Sequence, residues 1–169
     1  MKTMIVCVSL SHGNTKKVAR AIGEVLDARV VEPEEVTAEE LATCDLVGFG
    51  SGIYAMAFHP RLRRFVRSLP PVEGQKAFVF ATSGSRELWV WPFTGPLRLL
   101  LESKGYDVVD TFSCRGFDTL LPLRLVGGIN KGRPNAADLD AARAFAATLR
   151  DRVGPSSATS PAQRAPAGD

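Results

Sequence analysis

At 169 residues the chain is sized for one domain with a full hydrophobic core. Its 45% hydrophobic and 23% charged content is that of an ordinary globular protein, and no apolar run approaches the roughly 20 residues of a transmembrane helix. The net charge of +3 is too mild to demand a polyanionic partner.

The N-terminal Met1-Lys2-Thr3 leads directly into a short strand, without the longer apolar core and small-residue cleavage site of a secretory signal, so a cytoplasmic location is expected. Cys7, Cys44 and Cys114 are far apart and have neither metal-ligand nor redox-motif spacing. Each adjoins an apolar stretch, which reads as small buried hydrophobes in a reducing compartment.

The first predicted strand covers 3–9, ending in a polar loop of small residues, Ser9-Leu10-Ser11-His12-Gly13. A helix follows over 14–27, with Val18, Ala19, Ile22, Val25 and Leu26 on one face of a 3.6-residue period. A short strand is expected at 29–32. Thr37 then caps a short helix over 38–42, with Glu40 at the capping-box position. The third strand is read over 45–50. The next helix covers 59–69, with Pro60 in its first turn, Leu62, Phe65, Val66 and Leu69 inward, and Arg61, Arg64 and Arg67 on the opposite face.

The fourth predicted strand, 76–81, is a nearly continuous apolar run, as in strands covered on both faces. A helix over 93–104 stops at Gly105, and a fifth strand covers 106–113. A long loop, 114–134, precedes a helix over 136–152 that starts at Asn135 with Asp138 at its third position. The Pro-, Ala- and Ser-rich residues 154–169 have too little apolar mass to order themselves and read as a disordered tail beyond one domain of 1–153.

Alternating strands and helices predict an α/β fold, a doubly wound three-layer sandwich around a parallel five-stranded sheet. In such sheets ligands bind beyond the carboxyl ends of the strands, where the strand order reverses. Three of those ends are small and polar: the loop 9–13, Gly50-Ser51-Gly52 and Thr82-Ser83-Gly84. At the first, a strand feeds a helix start, so backbone N–H groups and the positive end of the helix dipole converge on one spot that suits a phosphate. An ordinary helix start capped by Asn or Ser is the plainer reading of that loop taken alone.

With these motifs in order, the chain resembles the flavodoxin family. Gly13-Asn14-Thr15 is similar to the end of the family's phosphate loop, with Ala19 at the matching spacing. Gly50-Ser51-Gly52-Ile53-Tyr54-Ala55, Thr82-Ser83-Gly84 and Gly127-Gly128-Ile129 through Asn135 resemble segments of small oxidoreductases in that family. The likeness covers about 1–152. One departure is Leu10, where the family usually has Ser or Thr; Ser9 and Ser11 flank it.

The resemblance implies strand order 2-1-3-4-5 and an FMN cofactor. Its phosphate would be met by N–H groups from Ser11 to Thr15, by the hydroxyls of Ser9, Ser11 and Thr15, and by the Asn14 amide, with Gly13 shaping the turn and His12 adding a hydrogen bond or staying solvent-facing. Gly52, Ile53, Tyr54 and Ala55 would border the isoalloxazine, with the Tyr54 ring against it or packed beside the sheet. Thr82, Ser83 and Gly84 would face its polar edge. One of Trp89 and Trp91 would shield the flavin, or the pair would pack over the fourth strand, and residues 114–119, which end the fifth strand, would close the same rim. His59 reads as a helix-start residue.

No Gly-x-Ser-x-Gly elbow, His-Glu-x-x-His pair or Walker Gly-Lys-Ser/Thr core is present. Glu32 ends the second strand where a ribose ligand would sit, but the dinucleotide glycine fingerprint is missing. The expected function is electron transfer through bound FMN, to a redox partner protein or a small-molecule acceptor. The alternatives are an FMN-dependent NAD(P)H or quinone oxidoreductase and a flavin-free interaction module. No catalytic acid or base and no metal is expected. The basic stripe carries no aromatic interleaving, so nucleic acid is not expected as a partner; a membrane partner is not expected either, and the protein would be a monomer or homodimer.

Overall fold

The β-branched and apolar runs do form the centre of a sheet. The computed structural model describes residues 1–10, 13–54, 56–83, 94–116 and 132–154. The chain runs β1 (Thr3–Val8), α1 (Asn14–Leu26), β2 (Arg29–Val31), a 3-10 turn (Pro33–Glu35), α2 (Ala38–Ala42), β3 (Leu46–Tyr54), β4 (Ala57–Phe58), α3 (Pro60–Ser68), β5 (Lys76–Ser83), α4 (Gly95–Ser103), β6 (Asp107–Arg115) and α5 (Ala136–Val153).

The main sheet is parallel in the order β2-β1-β3-β5-β6, which is the expected 2-1-3-4-5 arrangement of five strands. Two expectations are corrected. The third strand does not stop at residue 50 but continues to Tyr54, and a two-residue strand, β4, pairs antiparallel with its end through Ile53↔Phe58 and Tyr54↔Ala57. Gly52, Ile53 and Tyr54 therefore sit in a hairpin, not a loop. The 3-10 turn was also unforeseen; Glu32 and Glu35 close it with a reciprocal capping box.

Side chains alternate between the two faces of each strand, and two apolar layers result. Met4, Val6 and Val8 join Val47, Phe49, Val79, α2, α3 and α4 on one face. Ile5 and Cys7 join Leu46, Phe78, Phe80, α1 and α5 on the other, where Phe145 packs against Phe78 and Phe112. Gly48 and Gly50 explain how two large rings fit in that second layer. The Phe78 and Phe80 rings lie across these glycines, so close that a Cβ at either position would overlap them.

The caps form as expected at Thr37 and Asn135, each with its capping box. At β6, the edge neighbour of β5, Asp110 Oδ1 accepts the Thr111 N–H at 2.8 Å and Asp110 Oδ2 pairs with Arg152 of α5 at 2.8 Å. No helix among the described residues is long and apolar enough to cross a membrane. The tail expected to be disordered lies, from residue 155 on, outside the described residues.

Candidate site at the carboxyl edge of the sheet

The chain leaves β1 toward β2 on one side and returns to β3 on the other, so the strand order reverses between β1 and β3. The register sets Val8 beside Ser51, Gly52 beside Thr82, and Thr82 beside Cys114. The expected site residues on three strand ends are thus brought to one edge.

At the first end, Gly13 is the N-cap residue of α1, in the left-handed region at φ 65. Open space surrounds its Cα, so glycine serves here for its backbone, not for room. Gly13 itself supplies no side-chain cap, and the plainer reading of a helix start capped by Asn or Ser is met in part by Ser9. Ser9 reaches over, and its Oγ accepts the Lys16 N–H at 3.2 Å. The first turn carries no acidic residue and holds Lys16 and Lys17. Two cations at the positive end of a helix dipole are unfavourable unless an anion lies nearby. Asn14 and Thr15 are buried at 6% and 2% exposure. Ser11 and His12 lie outside the described residues.

The Thr15 hydroxyl was expected to face a phosphate. The structure turns it to Thr82 Oγ1, 2.8 Å away. One hydroxyl donates to the other, so the pair retains one hydrogen to offer a third group. Gly116 closes this corner: its N–H donates to Ser83 O at 2.9 Å, and a Cβ there would press on Asn14 and Thr82. Ser83 is buried, whereas Gly84, Trp89, Trp91 and residues 117–119 lie outside the described residues.

At the end of β3, the Tyr54 ring folds back over Gly52; a Cβ on Gly52 would stand 3.0 Å from ring atom Cε2. Among the described residues the ring also meets His59, edge-on at 5.3 Å and 80°. Ser51, fully buried, donates from Oγ to Gly52 O at 2.7 Å and accepts the His59 N–H at 2.9 Å. His59 Nδ1 accepts the Arg61 N–H, capping α3. Burial, then the charges of Arg61, Arg63 and Arg64, hold the His59 pKa below its ordinary value. Ala55 lies outside the described residues. Met56, in the hairpin turn at φ 64, and Leu10, after β1, leave more than half of their surfaces exposed.

Sequence reasoning missed how the charges pair. Arg61 bridges Glu32 at 3.0 Å and Glu34 at 2.6 Å, so the exposed basic stripe of α3 reduces to Arg64 and Arg67. Glu32 is thereby engaged by Arg61 and the 3-10 turn, which weighs against the ribose role its position suggested. Burial pushes the Cys7 thiol up to about 12, and burial, then Asp138, does the same for Cys114. Both are inert thiols at neutral pH. No group of His, Cys, Asp and Glu among the described residues is arranged to hold a metal.

The chain is similar in sequence and in fold to known proteins. A model of the flavodoxin domain matches residues 5–88. An uncharacterized protein of Methanocaldococcus jannaschii is 36% identical over 149 residues, covering 88% of this chain and 98% of that protein. Oxidised flavodoxin 2 of Bacillus cereus superposes with a TM-score of 0.67 at 21% identity, covering 90% of this chain and 99% of its own. General stress protein 14 of Treponema denticola, solved in complex with FMN, superposes at 0.61 and 11% identity, with coverage of 90% and 99%.

Proposed function

As the chain belongs to the flavodoxin family, we propose that it binds FMN at the carboxyl edge of its sheet and serves as an electron-transfer protein. The observation that carries this reading is the first turn of α1. Lys16 and Lys17 stand at the positive end of the dipole with no acidic residue in the turn, beside a glycine-shaped loop at the reversal of strand order. A phosphate of charge roughly −1.5 to −2 would relieve that repulsion.

The remaining edge would take the flat ring system attached to that phosphate. Ser9 and the start of α1, with Ser11, His12, Gly13 and Asn14, would hold the phosphate end. The Thr15–Thr82 pair would offer one hydroxyl hydrogen to a polar group of the ligand. Tyr54, with Gly52, Ile53 and Ala55, would border one side of the ring, and Ser83 and Gly84 the other. When bound, the flavin supplies the electron-accepting chemistry, while the protein orients it and limits its contact with water. Support also comes from the FMN complex of the Treponema protein.

The test is direct. The purified protein should show a flavin spectrum or quench added FMN; a colourless protein that does neither would leave the flavin-free interaction module as the better reading. Exposed Leu10 and Met56, which follow β1 and β3, favour a second possibility, an FMN-dependent NAD(P)H or quinone oxidoreductase, because exposed apolar side chains suit a planar organic acceptor. NAD(P)H oxidation with a quinone in the absence of any added reductase would distinguish that enzyme from a carrier. For a carrier, the exposed Arg64 and Arg67 would favour an acidic redox partner.

A further inference from the structure

Asn, Asp, Ser and Thr are the side chains that best cap a helix. Helix α3 is capped instead by an imidazole, whose Nδ1 takes the Arg61 N–H at 3.2 Å. The cap alone does not call for a ring. The ring has a second contact, the edge-on Tyr54 at 5.3 Å. Tyr54 in turn lies over Gly52, where a Cβ would stand 3.0 Å from the ring and crowd it. The Tyr54 ring thus meets both the β3 chain at Gly52 and the His59 ring.

The two contacts are tied to each other through the backbone. The His59 N–H is tied to Ser51 Oγ, and that hydroxyl donates to Gly52 O, so the backbone of His59 is anchored to the strand that the tyrosine covers. The acceptor role of Nδ1 selects the neutral tautomer with its hydrogen on Nε2 and fixes the plane of the imidazole. Burial and the neighbouring arginines favour that same neutral form.

We propose that His59 is a positioning residue, which holds the Tyr54 ring over Gly52 and so sets the angle at which that ring meets a ligand at the carboxyl edge. The ligand part of this proposal rests on the FMN reading above. The contact between the two rings does not.

Two substitutions separate the roles of the imidazole. His59→Asn keeps a capping side chain and removes the ring. His59→Phe keeps a ring and removes the cap. The sequence contains only two tyrosines, Tyr54 and Tyr106, so a protein labelled in its tyrosine rings gives two resolvable sets of NMR signals. In flavin-free protein, His59→Asn should shift the Tyr54 signals and leave those of Tyr106 in place, with a melting temperature near that of the unaltered chain. His59→Phe should melt lower and retain a ring-shifted Tyr54.

With FMN, His59→Asn should weaken binding several-fold, about as much as Tyr54→Ala, and the double variant should be no weaker than Tyr54→Ala alone. Unmoved Tyr54 signals in His59→Asn would overturn the proposal, as would losses in FMN affinity that simply add in the double variant. If the unaltered protein takes up no FMN, the flavin reading falls and the tyrosine signals alone decide for or against His59.

Discussion

The hydroxyl oxygens of Thr15 and Thr82 stand 2.8 Å apart in the buried interior, joining the first turn of α1 to the end of β5 across 67 residues of sequence. The bond ties the start of α1 to the end of β5 at the edge where a ligand would sit. Thr82→Val removes one partner at nearly constant volume and leaves a buried hydroxyl unsatisfied, at a cost of about 1–3 kcal/mol. Replacing both threonines by valine should cost less than the sum of the single changes. Urea unfolding of the two single variants and the double variant checks this.

Lys17→Glu should move two properties in opposite directions. In the flavin-free protein, an acid at the positive end of α1 should stabilise by about 0.3–1 kcal/mol. If a phosphate binds there, affinity for FMN should fall several-fold. Thermal unfolding without ligand and FMN titration of the same variant provide the two readings. A stabilised variant with unchanged FMN affinity would place the phosphate elsewhere.

Gly50→Ala should destabilise the fold by about 1–3 kcal/mol, because the added methyl meets the Phe80 ring in a filled layer. Phe80→Leu in the same chain should recover part of that loss. Chemical unfolding of the two variants tests whether the room, and not the flexibility of glycine, is what β3 requires.

The pH dependence has two sides. Cys7 and Cys114 keep their protons up to about 12 when folded, against 9.0 for an ordinary thiol. Between those values the unfolded chain loses protons that the folded chain keeps, so stability should fall as pH rises through that window. Cys7→Ala should lessen the slope. On the acid side, the lowered pKa of His59 means the unfolded chain binds a proton first, below its ordinary 6.5. That contribution is present above 6.5 and is lost as pH falls; unfolding curves at several pH values with and without His59→Asn isolate it.

Much of the architecture was legible because local chemistry and fold agree. Thr37 with Glu40, and Asn135 with Asp138, announce helix starts within four residues of chain, and both form. Gly50-Ser51-Gly52 was misread as the end of a strand because glycine is usually poor in strands. Here Phe78 and Phe80 fill the space that Gly48 and Gly50 leave, and β4 pairs with the extension. The candidate site was legible as three strand ends with small residues. Its internal partnerships were not: Thr15 with Thr82, Tyr54 with His59 and Arg61 with Glu32 and Glu34 join residues whose proximity depends on tertiary folding.

The placement of Phe145 in α5, over Phe78 and Phe112, has a consequence for the chain during its synthesis. The central strands are complete once Ser83 has been made, but the aromatic layer on one side of them has no cover from the last helix until residues 136–153 emerge. At about 5–20 residues per second that interval lasts on the order of seconds. A nascent chain stalled before α5 presents sticky aromatic surface, so the C-terminal helix governs how safely this protein leaves the ribosome.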